Sequence, residues 1–221
     1  MSCKLSDETK HLLNRYFDAA VNLYGIISLR KLLEIYNMQN EPINEEDFLE
    51  FANEIDFAHK FFDIMGEDEF YDDADETLPI DCDIVAEYLL QDEYFDGYYI
   101  TKEGQFGKLY YIPDKKQFLK YENENYHEKT LSFISLRAFF RNQPNLTKER
   151  ADEIADDIYK MANPLEGKID HVINMIENLN MFHFNNYTYK VFIELYTDMY
   201  NDTRLHINCG HTPNELYKMS W

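Results

Sequence analysis

Apolar residues return at helical spacing along most of this chain, and that periodicity restricts the folds open to it. Over residues 7–23 an apolar side chain follows every three or four positions, which is typical of the buried face of an amphipathic helix. The members of this stripe are Leu12, Leu13, Tyr16, Phe17, Ala20 and Leu23. The same spacing predicts helices over 28–36 and 44–55, whose first residues, Ser28 and Asn44, are good N-caps. With short extended stretches between the helices, the sequence predicts a mainly α protein of the α+β class.

The N-terminal elements follow the order of a winged helix. Residues 26–27 are predicted as a short strand, 57–64 as a second strand and 68–71 as a return strand after a glycine turn. In winged-helix DNA readers, the second helix of the helix-turn-helix carries basic and amide groups into the major groove. Here that helix reads EEDFLEFANEI and the wing position reads GEDEFYDDADE, so both would repel phosphates. We therefore predict a winged-helix-like part that binds protein rather than DNA.

The stretch DDADETLPI has the composition of a linker. We place a domain boundary there, with a winged-helix-like acidic domain over 1–77 and a second domain over 78–221. In the second domain, 81–91 is predicted as a helix and GYYITKEGQFGKLYYI, residues 97–112, as a small β-hairpin around a glycine-containing turn. An α-helical C-terminal part is predicted from apolar stripes over 131–141, 148–162, 169–179 and 190–200.

The negative charge is concentrated in one quarter of the chain. The 221 residues carry 42 acidic and 21 basic side chains, for a net charge of −21. Between Glu41 and Asp96 there are 21 acidic residues and a single base, Lys60, so this segment accounts for −20 of that charge. Such a field repels nucleic acids and acidic membrane surfaces, and it attracts basic partners or cations. A solubilising surface is the competing interpretation.

We predict that the carboxylates of this segment engage a basic protein partner. The candidate partner-binding residues are Glu45, Glu46, Asp47, Glu50, Glu67, Asp68, Glu69, Asp72, Asp73, Asp75 and Glu76. They do not form an EF-hand loop, because the spacing of its calcium ligands is missing. In the alternative hypothesis the carboxylates imitate a nucleic-acid backbone, and the chain is a phage-type inhibitor that occupies the basic channel of a nucleic-acid enzyme.

The stretch HINCGHTPNEL, residues 206–216, raises the question of a metal or thiol site. Residues 212–215, TPNE, form a capping box with proline at the first helical position, which explains most of the stretch as a helix start. The remaining zinc-ligand candidates are His206, Cys209 and His211, and they lack a fourth ligand. We therefore predict a structural turn with no metal and no cofactor, and no catalytic cysteine–histidine pair.

Enzyme signatures are missing from the sequence. It contains no P-loop, G-x-G-x-x-G, G-x-S-x-G or H-E-x-x-H motif, so we predict a protein that is not an enzyme. Residues 97–120 combine lysines with tyrosine pairs that could stack on nucleic-acid bases. Packing of these tyrosines across the predicted hairpin is the interpretation we favour.

The sequence predicts a cytoplasmic protein. Its three cysteines, Cys3, Cys82 and Cys209, are widely spaced and odd in number, which argues against a disulfide framework. The first residues lack the apolar run of a signal peptide. No stretch approaches the roughly 20 apolar residues that span a bilayer.

Three stretches of the chain together match the pattern of one family. They are LYGIISLRKLLEIYN (23–37), KLYYIPDKKQFLKYENENY (108–126) and NDTRLHINCGHTPNEL (201–216). They resemble a poorly characterised family of low-GC Gram-positive bacteria and their phages, some members of which end in a zinc-binding SEC-C tail. This sequence has no cysteine-rich module after Leu216. The resemblance implies a cytoplasmic bacterial or phage protein, and it supplies no catalytic residues.

Overall fold

The computed structural model describes residues 5–55, 57–70, 75–91, 95–163 and 168–219. The chain divides into two compact units, unit 1 (Met1–His127) and unit 2 (Glu128–Trp221). Over the described residues the protein is mainly α-helical with one small antiparallel sheet, which confirms the predicted fold class. None of the described helices is long and apolar enough to cross a membrane.

The described part of unit 1 combines five α-helices with a three-stranded sheet. The helices are α1 (Asp7–Tyr24), α2 (Leu29–Gln39), α3 (Glu45–Asn53), α4 (Asp96–Gln105) and α5 (Lys115–Phe118). The strands are β1 (Ile26–Ser28), β2 (Phe62–Met65) and β3 (Asp83–Ala86). β3 lies in the middle of the sheet and pairs antiparallel with both β1 and β2.

Local hydrogen bonds explain where the first three helices begin. Each starts after a side chain that accepts a hydrogen bond from the backbone N–H three residues later, and these caps are Ser6, Ser28 and Asn44. The two N-caps predicted from the sequence are thereby confirmed. α1 ends at Gly25, whose φ of 69° lies in the left-handed region that glycine adopts with little strain.

The predicted stripe of α1 forms the centre of the unit 1 core. Phe17 is fully buried, and its ring centroid lies 5.6 Å from Phe48, 5.8 Å from Phe51 and 6.0 Å from Phe62. The first two of these partners belong to α3 and the third to β2. A single aromatic cluster therefore joins the first helix, the third helix and the sheet.

The predicted β-hairpin over 97–112 is wrong. The first part of this segment belongs to α4, and the rest of it forms no strand. Tyr98, Thr101 and Gln105 are buried on one face of the helix. The Gln105 side chain donates hydrogen bonds of 2.8 and 3.2 Å to two backbone carbonyls at the junction of α1 and β1. The burial of Tyr98, Thr101 and Gln105 on one helix face thus outweighs the preference of the paired tyrosines for a strand.

The predicted domain boundary after residue 77 falls inside unit 1, whereas the compact units meet after His127. Residues 83–86 were predicted as part of a helix over 81–91, and they instead form β3, with all four residues buried. A short apolar run of this kind suits a buried strand as well as a helix, and periodicity does not separate the two. A boundary at 77 would detach the central strand from both of its neighbours.

Unit 2 is helical throughout its described part. Its helices are α6 (Leu131–Arg141), α7 (Lys148–Lys160), α8 (Ile169–Asn178), α9 (Asn186–Asn201) and α10 (Pro213–Met219). Fully buried aromatic side chains such as Phe133, Phe140 and Phe192 form the core. The four apolar stripes predicted for this part coincide with α6 to α9, because each stripe needs only one neighbouring helix face to bury it.

Candidate functional site

Four of the predicted partner-binding residues lie on α3. Glu45, Glu46 and Asp47 occupy its first turn, where the helix dipole stabilises negative charge, and Glu50 follows one turn later. The Asp47 carboxylate accepts a 2.7 Å hydrogen bond from the side-chain amide of Asn44, so it takes part in capping the helix. Glu45 and Glu46 are exposed, whereas Asp47 and Glu50 are half-buried.

Other predicted residues lie on the segment between β2 and β3, residues 66–82, which we call the wing. Glu67–Glu69 form a 3-10 turn rather than the start of the predicted return strand, and their side chains are exposed. Thr77 stabilises this turn with two hydrogen bonds. Its hydroxyl accepts a hydrogen bond from the Glu67 N–H at 2.7 Å, and its own N–H donates to the Asp68 carboxylate at 3.2 Å. The hydrogen bonds from Thr77 hold the pKa of Asp68 below its ordinary value.

The later carboxylates of the wing divide into two pairs. Asp75 and Glu76 are exposed. Asp72 and Asp73 lie outside the described residues. The structure therefore places nine of the eleven candidates, on α3 and on the wing.

Arg30 shows that α3 and the wing are adjacent. Its guanidinium donates to both carboxylate oxygens of Asp81 in the wing, at 2.6 and 3.0 Å, and it lies 4.0 Å from Glu45 on α3. The bond from Arg30 holds the pKa of Asp81 below its ordinary value. The two groups of carboxylates consequently lie on neighbouring elements of unit 1, and together we call them the acidic face.

The two ends of the wing also lie close together, around Cys82. Burial raises the pKa of the Cys82 thiol, and the negative charges of Asp68, Glu69 and Asp81 raise it further. Met65 and Asp83, which flank the wing, pair between β2 and β3, so carboxylates from the start and the end of the wing lie near one another.

Most carboxylates of the acidic face have no basic neighbour. Over the described ranges, no Lys or Arg nitrogen lies within 4.0 Å of the carboxylates of Glu46, Glu50, Glu67, Asp68, Glu69, Asp75 or Glu76. Elsewhere in the same segment Glu54 binds Lys10 at 2.7 Å. Unmatched carboxylates on one surface produce the negative potential that a basic protein recognises.

A cleft of about 790 Å³ opens beside the wing. The residues that line it are Glu67, Tyr99, Lys102, Glu103, Gln105, Phe106 and Tyr110. Next to it, the Lys102 ammonium donates to the buried carboxylate of Asp83, which also accepts a 3.2 Å hydrogen bond from the Tyr98 hydroxyl. Burial raises the pKa of Asp83, and the attraction of Lys102 opposes that shift.

The hairpin predicted over 97–112 gave no indication of this cleft. In a hairpin, Tyr99, Lys102 and Phe106 would not share one face. On a helix these positions are three and four residues apart, so they line the same side. The helical spacing of Tyr98, Thr101 and Gln105 was the signal that would have revealed α4.

The tyrosines of this region do not form an exposed platform for stacking on bases. Tyr98 is fully buried and stacks on Phe70 with ring centroids 3.7 Å apart. Tyr99, Tyr110 and Tyr111 are half-buried. Packing therefore explains these rings, as we favoured, although the packing is between a helix and loops rather than across a hairpin.

His206, Cys209 and His211 lie in a buried loop before α10. Over the part of the chain that the structure describes, no group of three His, Cys, Asp or Glu side chains is arranged to hold a metal ion. Cys209 adopts a left-handed backbone conformation with φ of 50°, and its N–H donates to the His206 carbonyl at 3.0 Å. These contacts describe a tight turn.

Arg204 organises this C-terminal loop. Its guanidinium binds the Glu215 carboxylate at 2.9 and 3.2 Å, Glu128 at 3.0 Å and the Gly210 carbonyl at 3.1 Å. The predicted capping box is confirmed, because the Glu215 N–H donates to the Thr212 hydroxyl and the Thr212 N–H donates to the Glu215 carboxylate, both at 3.1 Å. Burial raises the pKa of Glu215, but the bonds from Arg204 and Thr212 outweigh burial and lower it overall.

Comparison of the chain with protein-family models, with curated proteins and with solved structures finds no match. The family resemblance drawn from the three sequence stretches stays a prediction. The function therefore has to be argued from the charges and contacts of the chain's own surface.

Proposed function

We propose that this chain is a non-enzymatic regulatory protein that binds a basic protein partner through the acidic face of unit 1. The observation that carries this proposal is the set of carboxylates on α3 and the wing, of which Glu46, Glu67 and Asp75 have no Lys or Arg nitrogen within 4.0 Å among the described residues. Such a surface speeds the encounter with a basic protein and repels acidic ones. Because exposed charges are screened by salt, the binding should weaken as the ionic strength rises.

We further propose that unit 1 is a winged helix adapted to protein binding. The element order α1–β1–α2–α3–β2–β3 and the sheet order β1–β3–β2 support this assignment. In DNA readers of this kind, the helix that corresponds to α3 enters the major groove. Here its first turn carries Glu45, Glu46 and Asp47, so we expect no DNA binding by this part.

A second candidate function is a phage-type inhibitor that mimics nucleic acid. The acids lie on α3 and the wing, the two elements that would approach phosphates in a winged-helix DNA reader. Carboxylates there would instead occupy the phosphate sites of a nucleic-acid enzyme. We propose a cytoplasmic location for either function, and the resemblance to a family of bacteria and phages, including members with SEC-C tails, is in keeping with it.

The test compares the wild-type chain with two variants of equal charge change. The first variant replaces acids of the acidic face with lysine, at Glu46, Glu50, Asp75 and Glu76. The control replaces four exposed acids of unit 2 with lysine, at Glu149, Asp170, Glu177 and Glu194. Each protein is immobilised, incubated with a nuclease-treated bacterial lysate and eluted with a salt step.

We expect the wild type and the unit 2 control to retain the same basic protein, and the acidic-face variant to lose it. Affinity for that purified partner should fall by at least about ten-fold, which corresponds to roughly 1.4 kcal/mol. Added DNA or RNA that displaces the partner would favour the mimic, whereas a partner that ignores nucleic acid would favour the regulatory protein. Equal retention by the acidic-face variant would contradict both functions.

A further inference from the structure

One face of α4 forms the main wall of the cleft beside the wing. Tyr99, Lys102 and Glu103 of the helix line this wall, together with Phe106, the residue that follows the helix. Glu67 lines the cleft from the wing. Tyr98 and Thr101 of α4 are buried, so the helix presents the side with Tyr99, Lys102 and Glu103 to a ligand.

The turn that carries Glu67 is held firmly against α4. The ring of Phe70 stacks on Tyr98, with centroids 3.7 Å apart and planes within 8° of parallel. The Tyr99 hydroxyl donates a 2.5 Å hydrogen bond to the Phe70 carbonyl. The cleft is therefore formed before any partner arrives, which lowers the entropy lost on binding.

The charge of the cleft is negative. The positive charge of Lys102 is balanced by the buried carboxylate with which it pairs, Asp83. Glu67 and Glu103 are exposed, and no Lys or Arg nitrogen among the described residues lies within 4.0 Å of their carboxylates. The complementary group is consequently a cation.

The rim of the cleft is apolar and open to solvent. Phe106, which lines the cleft, is 89% exposed. A single exposed apolar side chain needs no explanation, but this one stands in a cleft whose walls also hold the rings of Tyr99 and Tyr110. This combination suits a ligand that carries apolar and cationic groups together.

We propose that this cleft anchors the basic partner, and that it takes a short peptide segment in which apolar side chains alternate with arginine or lysine. The apolar side chains would cover Phe106 and the tyrosine rings, and the cations would lie against Glu67 and Glu103. The inference rests on the proposed function, because it assumes a basic protein partner. It adds a specific anchor to a general electrostatic attraction, in keeping with interfaces that combine an apolar centre with a polar rim.

The test measures the binding of two fluorescent peptides of equal length and charge to the full chain by anisotropy. Arginine alternates with leucine in one peptide and with serine in the other. We expect the leucine peptide to bind about ten-fold more tightly, because it removes apolar surface from water. The variant Phe106→Ser should abolish that preference and leave the affinity for the serine peptide unchanged.

Two further variants complete the experiment. Met38→Ser changes a side chain of α2 that is 63% exposed and does not line the cleft, so it should leave both affinities unchanged. The double variant Glu67→Gln, Glu103→Gln should weaken the binding of both peptides. Equal affinity of the two peptides for the wild type would overturn the anchor and leave the attraction of the acidic face intact. If neither peptide binds, the anchor fails, whereas the proposed function fails only if the acidic-face variant retains the same lysate protein as the wild type.

Discussion

The polar residues of the acidic face and those of the C-terminal loop are used in opposite ways. In the loop, Arg204 is only 10% exposed in its side chain and is surrounded by Glu128, Glu215 and a backbone carbonyl. On the acidic face, carboxylates such as Glu46 and Glu67 are exposed and have no basic neighbour within salt-bridge distance over the described residues. Polar groups that satisfy one another hold a fold together, whereas polar groups left unmatched at the surface are available to a partner.

We expect the largest loss of stability from a substitution of Arg204. Arg204→Ala would leave two carboxylates without their common cation, and we expect a loss of about 3 kcal/mol in the free energy of unfolding. Urea denaturation measures this loss. Arg30→Ala, which removes a solvent-exposed pair with Asp81, is the matched control and should have a far smaller effect. Equal losses for the two variants would mean that the loop is no more dependent on its ion pairs than the acidic face is.

A pH series tests the same loop through Glu215. Its pKa is lower in the folded chain than the ordinary value of 4.5, so the unfolded chain binds the proton more readily and the carboxylate contributes stability above that value. We expect Glu215→Gln to be less stable than the wild type at neutral pH. The difference should shrink as the pH falls below 4.5 and through the folded-state pKa. A difference that stays constant over this window would show that ionised Glu215 does not stabilise the loop.

The capping box should contribute a smaller amount. Thr212→Ala removes the hydroxyl that accepts from the Glu215 N–H, and we expect a loss of about 1 kcal/mol in thermal or urea unfolding. Thr212→Ser keeps the hydroxyl and serves as the control. If serine and alanine at this position destabilise the chain equally, the hydrogen bond from the Glu215 N–H to the Thr212 hydroxyl does not contribute to stability.

The acidic face should contribute least to stability. Replacing Glu50 and Glu76 with Gln and Asp75 with Asn removes repulsion between like charges, so the melting temperature should stay the same or rise slightly. Binding to the basic partner should fall in the same variant. A marked drop in melting temperature would show that these carboxylates stabilise the fold, as Arg204 does.

The candidate site could be located from the sequence only in part. Composition alone placed the excess of carboxylates between Glu41 and Asp96, because counting needs no structure. Their placement on neighbouring elements depends on tertiary contacts such as the one between Arg30 and Asp81, which are far apart in the chain. The cleft was missed altogether, because its recognition required α4 and the contact between Phe70 and Tyr98.

The elements that the sequence determined by itself are those with local causes. Ser28, Asn44 and Thr212 cap helices through residues three positions away, and the stripe of α1 needs only its own periodicity to define a buried face. Tertiary structure alone decided the rest. Residues 83–86 became a strand because β1 and β2 were available on both sides, and 96–105 became a helix because the core accepted Tyr98 and Gln105 on one face. A short apolar or aromatic run is compatible with either conformation, and the partner that buries it makes the choice.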